Sequence, residues 1–181
     1  GQVEVAVQYS GISTGAERML WDGSMSALPG MDYPLIPGFE TFGQVVKAHK
    51  GAKLKEGDMV FVPGANCFSG VKSMYGGAAS RLVVSDTQVL PVSDALGADA
   101  VLLALAATAY HAVSGGGTQE PFTPPDLIIG HGVMGRLLAR LTVAAGCPAP
   151  TVWETQPEIA KGAQGYEVIR PEDDPRKDYQ A

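Results

Sequence analysis

The stretch "DLIIGHGVMGRLLARL", residues 126–141, decides the fold, because it joins an apolar run to a helical pattern through a glycine-rich turn. Residues 126–130 are typical of a short strand buried on both faces of a parallel sheet. The helical spacing that follows ends near Gly146, a residue type common at helix C-termini. Residues 150–154 and 166–171 predict two further strands, with a helix at 156–165 between them. This alternation predicts the start of a doubly wound parallel sheet.

The turn itself fits the pattern G-x-G-x-x-G, with Gly130, Gly132 and Gly135 as its glycines and Val133 and Met134 between the last two. Gly130 permits a tight turn, Gly132 lets a pyrophosphate approach the backbone, and Gly135 lets the helix pack closely on the strand. The N–H groups at the start of the helix then hold the phosphates. These five residues therefore predict a dinucleotide site, the alternative being a structural turn that binds nothing.

An acidic residue, Glu154, ends the second predicted strand, about 20 residues after the glycine turn. A carboxylate at this place accepts hydrogen bonds from the ribose hydroxyls of NAD. It also repels the 2′-phosphate of NADP, so the sequence predicts NAD as the cofactor.

The chain before residue 95 has a different pattern, of short β runs bounded by glycine, proline and aspartate. The runs lie at residues 3–10, 43–49, 58–64 and 79–85, and they predict a compact barrel or sandwich. Residues 94–113 then predict a helix rich in alanine and leucine, and residues 114–125 predict a loop. We accordingly expect two domains, at residues 1–95 and 96–181.

The composition excludes several classes of function. The 181 residues carry a formal net charge of −6, so a nucleic-acid surface with its basic stripe is disfavoured. Two cysteines cannot form a disulfide framework or a four-cysteine zinc lobe. No apolar run reaches about 18 residues and no signal peptide is visible, so we expect a cytoplasmic protein without a transmembrane segment. The oligomeric state stays open, a homo-oligomer included.

Several motifs together resemble the medium-chain dehydrogenase/reductase superfamily. They are "VQYSGIS" (7–13), "PLIPGFETFGQVV" (34–46), "KEGDMVFV" (55–62), "AATAYHAV" (106–113) and the glycine turn. The resemblance implies a GroES-like β-barrel domain followed by a partial Rossmann domain, with the active site in a cleft between them. It also implies that the N-terminal part of the first domain and the C-terminal part of the second lie outside this chain.

Two longer strings, "STGAERMLW" (13–21) and "LALAATAYHA" (103–112), are similar to one branch of that superfamily. Its members oxidise the hydroxyethyl side chain of a bacteriochlorophyllide to an acetyl group with NAD, in bacteriochlorophyll biosynthesis. The resemblance therefore implies an NAD-dependent alcohol dehydrogenase whose small-molecule substrate is a large, flat, mostly apolar pigment. This fragment by itself is expected to be inactive.

The ligands of a catalytic zinc are largely absent from the matching positions. Zinc members of the superfamily have cysteine where Ser13 stands and histidine where Phe39 stands, and their third ligand falls near Ala104. Only Glu40 is retained, and one carboxylate cannot hold a tetrahedral zinc. We therefore predict no metal, and another group must take the hydroxyl proton as hydride leaves.

The candidates for this proton are Glu40, Thr14, Ser13 and His111. The two hydroxyls match the alcohol-binding relay of the superfamily, and a carboxylate between aromatic residues is costly to bury without a purpose. Glu17 is a further candidate base. For each residue a structural role is the alternative: turn hydrogen bonds for the hydroxyls, a backbone hydrogen bond for Glu40, a solvated pair with Arg18 for Glu17, and helix packing for His111.

The resemblance also implies that Thr108 packs against the nicotinamide, and that Trp21 and Phe39 line the substrate pocket, although all three could be ordinary packing residues. Two other functions stay open. One is a zinc-free quinone or enone reductase that uses NADPH, which Glu154 argues against. The other is a non-catalytic NAD-binding scaffold in a pigment-synthesis complex.

Overall fold

The computed structural model describes residues 1–26, 28–114, 123–176 and 178–179. It divides into two compact units, Gly1–Ala104 and Leu105–Ala181. The boundary expected after residue 95 lies before this division, and most of the loop predicted at 114–125 lies outside the described residues.

The first unit is built on a five-stranded antiparallel sheet with the strand order β6-β1-β3-β4-β7. Its core comes from strand residues that alternate inward, such as Val3, Val5 and Val45. A second, two-stranded parallel sheet pairs β2 with β5. The elements are β1 (Gln2–Ser10), α1 (Ala16–Asp22), β2 (Leu35–Ile36), β3 (Thr41–Ala48), β4 (Met59–Val62), β5 (Lys72–Ser73), β6 (Arg81–Ser85) and β7 (Leu90–Pro91). The four predicted β runs correspond to β1, β3, β4 and β6.

The helix predicted at 94–113 is wrong in its first half. Asp94–Leu102 is a 3-10 helix, and only Leu103–Val113 is α-helical (α2). Gly97 interrupts the segment with φ 50° and ψ −131°, a backbone conformation outside any helix. The alanine and leucine spacing continues through this glycine, which is why the pattern did not reveal the break.

The whole segment Asp94–Val113 has 20 residues with a mean hydropathy of 1.5, enough by length and composition to cross a membrane. This is weak evidence for a span. Gly97 breaks the helix, and the part that follows, residues 98–113, is shorter than the roughly 20 residues that a membrane-spanning helix needs.

The second unit contains a three-stranded parallel sheet with the order β10-β9-β8. Its elements are β8 (Leu127–Ile129), α3 (Val133–Ala144), β9 (Thr151–Trp153), α4 (Pro157–Ala160) and β10 (Glu167–Ile169). Ile128, Ala139 and Val152 form its buried cluster between sheet and helix. Gly146 follows the end of α3 with φ 74°. The predicted start of a doubly wound parallel sheet is confirmed.

Candidate functional site

The glycine turn links β8 to α3, and each of its glycines has a distinct structural reason. Gly130 has φ 96°, a conformation that favours glycine. A Cβ on Gly135 would collide with the carbonyl oxygen of Gly130, so this glycine allows the helix to approach the turn. A Cβ on Gly132 would meet no atom within 4 Å. The space beside Gly132 is therefore not filled by the protein.

The side chain of His131 connects the turn to the segments that contain Ile159 and Tyr166. It is fully buried, its Nδ1 lies 2.8 Å from the carbonyl oxygen of Ile159, and its Nε2 lies 2.7 Å from the hydroxyl of Tyr166. A carbonyl only accepts, so Nδ1 carries a proton and donates it; in the neutral ring, Nε2 then accepts from the Tyr166 hydroxyl. Arg136 adds two more hydrogen bonds, from Nε to the His131 carbonyl and from a terminal nitrogen to the Ile159 carbonyl.

Glu154 follows β9 and lies against the same turn. Its carboxylate accepts hydrogen bonds from the backbone N–H of His131 at 3.0 Å and of Gln156 at 2.9 Å. These hydrogen bonds lower the pKa of Glu154, so the group is ionised at neutral pH. The negative charge predicted at this end of the sheet is therefore held in place by the turn itself.

The turn has the features of a nicotinamide dinucleotide cradle. The first N–H groups of α3, from Gly132 onward, have no partner within the helix, and Val133 at its start is exposed. The unfilled space at Gly132 is where a side chain would block a phosphate. Free N–H groups, an open approach and an ionised carboxylate nearby together fit the pyrophosphate and ribose of such a cofactor.

In the first unit, the carboxyl groups of Glu17 and Glu40 interact electrostatically. Glu40 precedes β3 and only 4% of it is exposed, and its Oε1 has no hydrogen-bond partner. Burial and then the charge of Glu17 raise its pKa. Burial also raises the pKa of Glu17, although the backbone N–H of Ser13, 3.1 Å from Glu17 Oε2, acts in the opposite direction.

Gly11 brings Glu40 to this position. Its N–H donates to the Glu40 carbonyl at 2.7 Å, and a Cβ on Gly11 would clash with the Glu40 side chain. From the sequence, Glu17 is either a base or one half of a solvated pair with Arg18. In the structure its carboxylate accepts a hydrogen bond from the backbone N–H of Ser13 and the residue lines a pocket, which disfavours the solvated pair.

That pocket has a volume of about 120 Å³ and lies between α1, the segment before β3 and the segment after β5. Leu20, Met25 and Phe39 contribute apolar side chains, and the Phe39 ring lies 5.2 Å from that of Tyr75. Glu17 is the charged residue among the described residues that line it. Glu40 does not line the pocket.

The other predicted site residues are placed as follows. Ser13 lies in the loop before α1, and Thr14 beside it is exposed. Trp21, at the end of α1, is 88% exposed and stands outside the pocket that Phe39 lines. Thr108 and His111 both lie on exposed positions of α2 in the second unit.

The positions that match zinc ligands do not fit a metal, because Phe39 and Ala104 have no donor atoms. Within the described ranges, no group of three or more histidine, cysteine, aspartate and glutamate side chains could hold a metal ion. We derive no catalytic step through zinc.

The pattern of the Alcohol dehydrogenase GroES-like domain matches residues 1–94, more than half of the chain. The chain belongs to the alcohol dehydrogenase GroES-like family. The GroES-like class expected for the first domain is thereby confirmed.

Two curated relatives of this GroES-like chain are named 2-desacetyl-2-hydroxyethyl bacteriochlorophyllide A dehydrogenase. The protein from Rhodobacter capsulatus is 53% identical over 182 residues, and the protein from Cereibacter sphaeroides is 47% identical over 186 residues. Both alignments cover 100% of this chain and 57% of the relative. The chain thus spans little more than half the length of these relatives.

Solved structures of alcohol dehydrogenases share the fold of this GroES-like chain. One, from Escherichia coli CFT073 and complexed with NADH, has a TM-score of 0.71 and 21% identity, covering 96% of this chain and 56% of the other. Another dehydrogenase, from Sinorhizobium meliloti 1021 and bound to NADP, has a TM-score of 0.72 and 21% identity, covering 94% and 55%. Identity at this level supports the fold and leaves the choice of cofactor open.

The partial burial of Glu17 was not predictable from its own neighbourhood in the sequence. Its neighbour Arg18 suggested a surface pair, and the signal that it is partly buried lay elsewhere in the chain. A Cβ on Gly11 would clash with the side chain of Glu40, so Gly11 packs too closely on the segment before β3 to carry a side chain. Such close approach predicts that the segment before β3 lies directly against the loop before α1.

Proposed function

We propose that this chain is part of an NAD-dependent dehydrogenase that oxidises the hydroxyethyl side chain of a bacteriochlorophyllide to an acetyl group. The observation that carries the proposal is the glycine turn, where open N–H groups and the ionised Glu154 lie together. The substrate comes from the two relatives, which carry this activity in their names at 53% and 47% identity.

Gly130, Gly132, Val133, Met134 and Gly135 would hold the pyrophosphate. The cofactor supplies a hydride acceptor when it is bound. Glu154 supports NAD rather than NADP, because an ionised carboxylate accepts hydrogen bonds from ribose hydroxyls and repels a 2′-phosphate. Thr108 remains our candidate for contact with the nicotinamide.

The size of the pocket in the first unit limits how the pigment would bind. Sites for drug-sized ligands measure roughly 300–1,000 Å³, whereas this pocket measures about 120 Å³. It can take a short side chain such as hydroxyethyl and cannot take the macrocycle. Trp21 follows Glu17 by one helical turn on α1, and we propose that its exposed indole forms a rim of the pocket on which a flat ring stacks.

The test uses the full-length protein, without added metal, mixed with a hydroxyethyl bacteriochlorophyllide and either NAD or NADP. We expect a red shift of the long-wavelength pigment band with NAD, as the new acetyl group joins the conjugated system, and no shift with NADP. Binding of NAD without oxidation of the pigment would instead support a non-catalytic scaffold. Activity only with NADPH and a quinone or enone would support the reductase alternative.

A further inference from the structure

Two carboxyl groups of the first unit interact electrostatically, with Glu17 on the wall of the small pocket and Glu40 buried in the segment before β3. Among the described residues, no lysine, arginine or histidine forms an ion pair with either group. The charge of Glu17 raises the pKa of Glu40, as expected for two carboxylates that interact without a compensating cation, so the ionised pair binds a first proton more tightly than a lone carboxylate does.

The hydrogen bonds distinguish the two members of the pair. Glu17 Oε2 receives the backbone N–H of Ser13, whereas the buried Oε1 of Glu40 receives none. A buried polar atom without a partner is costly, and most such atoms in proteins have one. Glu40 has therefore not been placed for structural hydrogen bonding, which was the alternative considered from the sequence.

We propose that Glu17, the carboxylate on the pocket wall, is the catalytic base that takes the hydroxyl proton of the alcohol, and that the buried Glu40 is a positioning residue for Glu17. This assignment rests on the proposed dehydrogenase function. It replaces Glu40, the carboxylate expected from the sequence, with a neighbour that lines the pocket. Glu40 acts through Glu17 and does not touch the substrate.

Oxidation of the alcohol breaks two of its bonds. The C–H bond of the secondary alcohol breaks and hydride leaves with its electron pair for the cofactor. The O–H bond breaks, its proton joins the carboxylate of Glu17, and the carbon–oxygen bond becomes a carbonyl. Glu17 then releases the proton to water, which restores the ionised pair.

The reaction should therefore require the ionised pair. Among the described residues, the titratable groups that line the pocket are Glu17 from α1 and Tyr75 from the segment after β5, and Glu40 from the segment before β3 interacts with Glu17. Burial and mutual repulsion raise the pKa of Glu40, and burial raises that of Glu17. As the pH is lowered, kcat/KM should therefore begin to fall at a pH above the ordinary pKa of a carboxyl group.

The experiment compares the full-length wild type with Glu17→Gln, Glu40→Gln, Glu17→Asp and the control Glu56→Gln, which changes an exposed glutamate of the same unit. The first readout is kcat/KM for hydroxyethyl bacteriochlorophyllide with NAD across pH. We expect Glu17→Gln to lose roughly 10²- to 10⁴-fold at neutral pH, where Glu17 is ionised in the wild type, and to lose the fall on the acid side. Glu40→Gln should move the fall of kcat/KM at acid pH, the acid limb of the profile, to lower pH. Glu17→Asp should restore part of the rate. NAD affinity, measured on each variant, shows that it has folded.

The second readout needs no substrate. An infrared titration follows the carbonyl band of protonated carboxyl groups, and we expect a band that persists above the ordinary carboxyl range and is lost in both glutamine variants. Wild-type rates and an unmoved acid limb in Glu17→Gln would overturn the base, and an unmoved limb in Glu40→Gln would overturn the role of Glu40. If the wild type does not oxidise the pigment, the proposed function and the base fall together, while the infrared band still decides whether the pair exists.

Discussion

Two glycines of one turn allow packing and cofactor binding to be separated at single residues. Gly135→Ala places a methyl group against the Gly130 carbonyl oxygen, so we expect a loss of about 1–3 kcal/mol in stability. Gly132→Ala meets no atom within 4 Å, and its φ of −69° suits alanine. Its unfolding free energy should change by no more than about 0.5 kcal/mol, while NAD affinity falls by roughly tenfold or more, about 1.4 kcal/mol.

Thermal unfolding and NADH fluorescence titration of both variants check this prediction. Equal NAD affinity in Gly132→Ala and wild type would mean that no phosphate approaches this glycine. The turn would then be structural, as the alternative from the sequence has it.

Glu154 is expected to determine the preference for NAD over NADP. Replacement by serine removes the charge that would repel a 2′-phosphate, so we expect the NAD-to-NADP affinity ratio to fall by roughly 10- to 100-fold, since like charges in contact cost several kcal/mol. Glu158→Gln is the matched control, because Glu158 is an exposed glutamate of the same unit, paired with Lys161. Dissociation constants for both dinucleotides, measured at fixed salt, test it. An unchanged ratio in Glu154→Ser would place the specificity elsewhere.

The exposed indole of Trp21 gives a prediction about substrate size. If the macrocycle stacks on it, Trp21→Ala should raise KM for the pigment by roughly tenfold, within the about 1–3 kcal/mol typical of stacking on an aromatic side chain. The value of kcat and the affinity for NAD should stay the same. Steady-state kinetics of the full-length protein measure all three, and an unchanged KM would remove Trp21 from the pocket rim.

At the scale of elements, the buried His131 ties the turn to α4 and β10. Tyr166 precedes β10 and donates to His131 Nε2 at 2.7 Å, so Tyr166→Phe leaves a buried acceptor without a partner. We expect a loss of about 1–3 kcal/mol of stability, which thermal unfolding measures. Tyr9→Phe is the control, since the Tyr9 ring is about half exposed and stacks on Phe42. Equal losses of stability in the two variants would contradict a stabilising role of the hydrogen bond between Tyr166 and His131.

The elements also show how far the sequence can predict this fold. The strand–turn–helix of residues 126–141 was predictable, because periodicity and glycine spacing are local signals. The break at Gly97 was not, since a single glycine inside a helical pattern is often tolerated. The interaction of Glu17 with Glu40 was not predictable for a related reason: the two residues are distant in sequence, and the close packing of Gly11 on Glu40 is not a local signal.

For the molecule as a whole, the carboxyl pair should lower stability at neutral pH. The chain carries a net charge of −6, and nothing in the described structure pairs a cation with Glu17 or Glu40. A residue that is kept ionised and buried for chemistry typically costs stability. Structural carboxylates behave in the opposite way, as at Glu154, where backbone hydrogen bonds lower the pKa.

The sign follows from linkage. Glu40 has a folded-state pKa raised above its ordinary value of 4.5, so its contribution to stability is fully present below that value and is lost as pH rises through the folded pKa. Wild type should therefore lose more stability than Glu40→Gln between about pH 4.5 and neutral pH. The variant should be the more stable protein at neutral pH even though its acid limb of activity has moved. Denaturant unfolding at a series of pH values measures both slopes, with Glu56→Gln as the control for a change of one charge. Parallel slopes for wild type and Glu40→Gln would mean that Glu40 titrates like an exposed carboxyl group, and the pair would lose its physical basis.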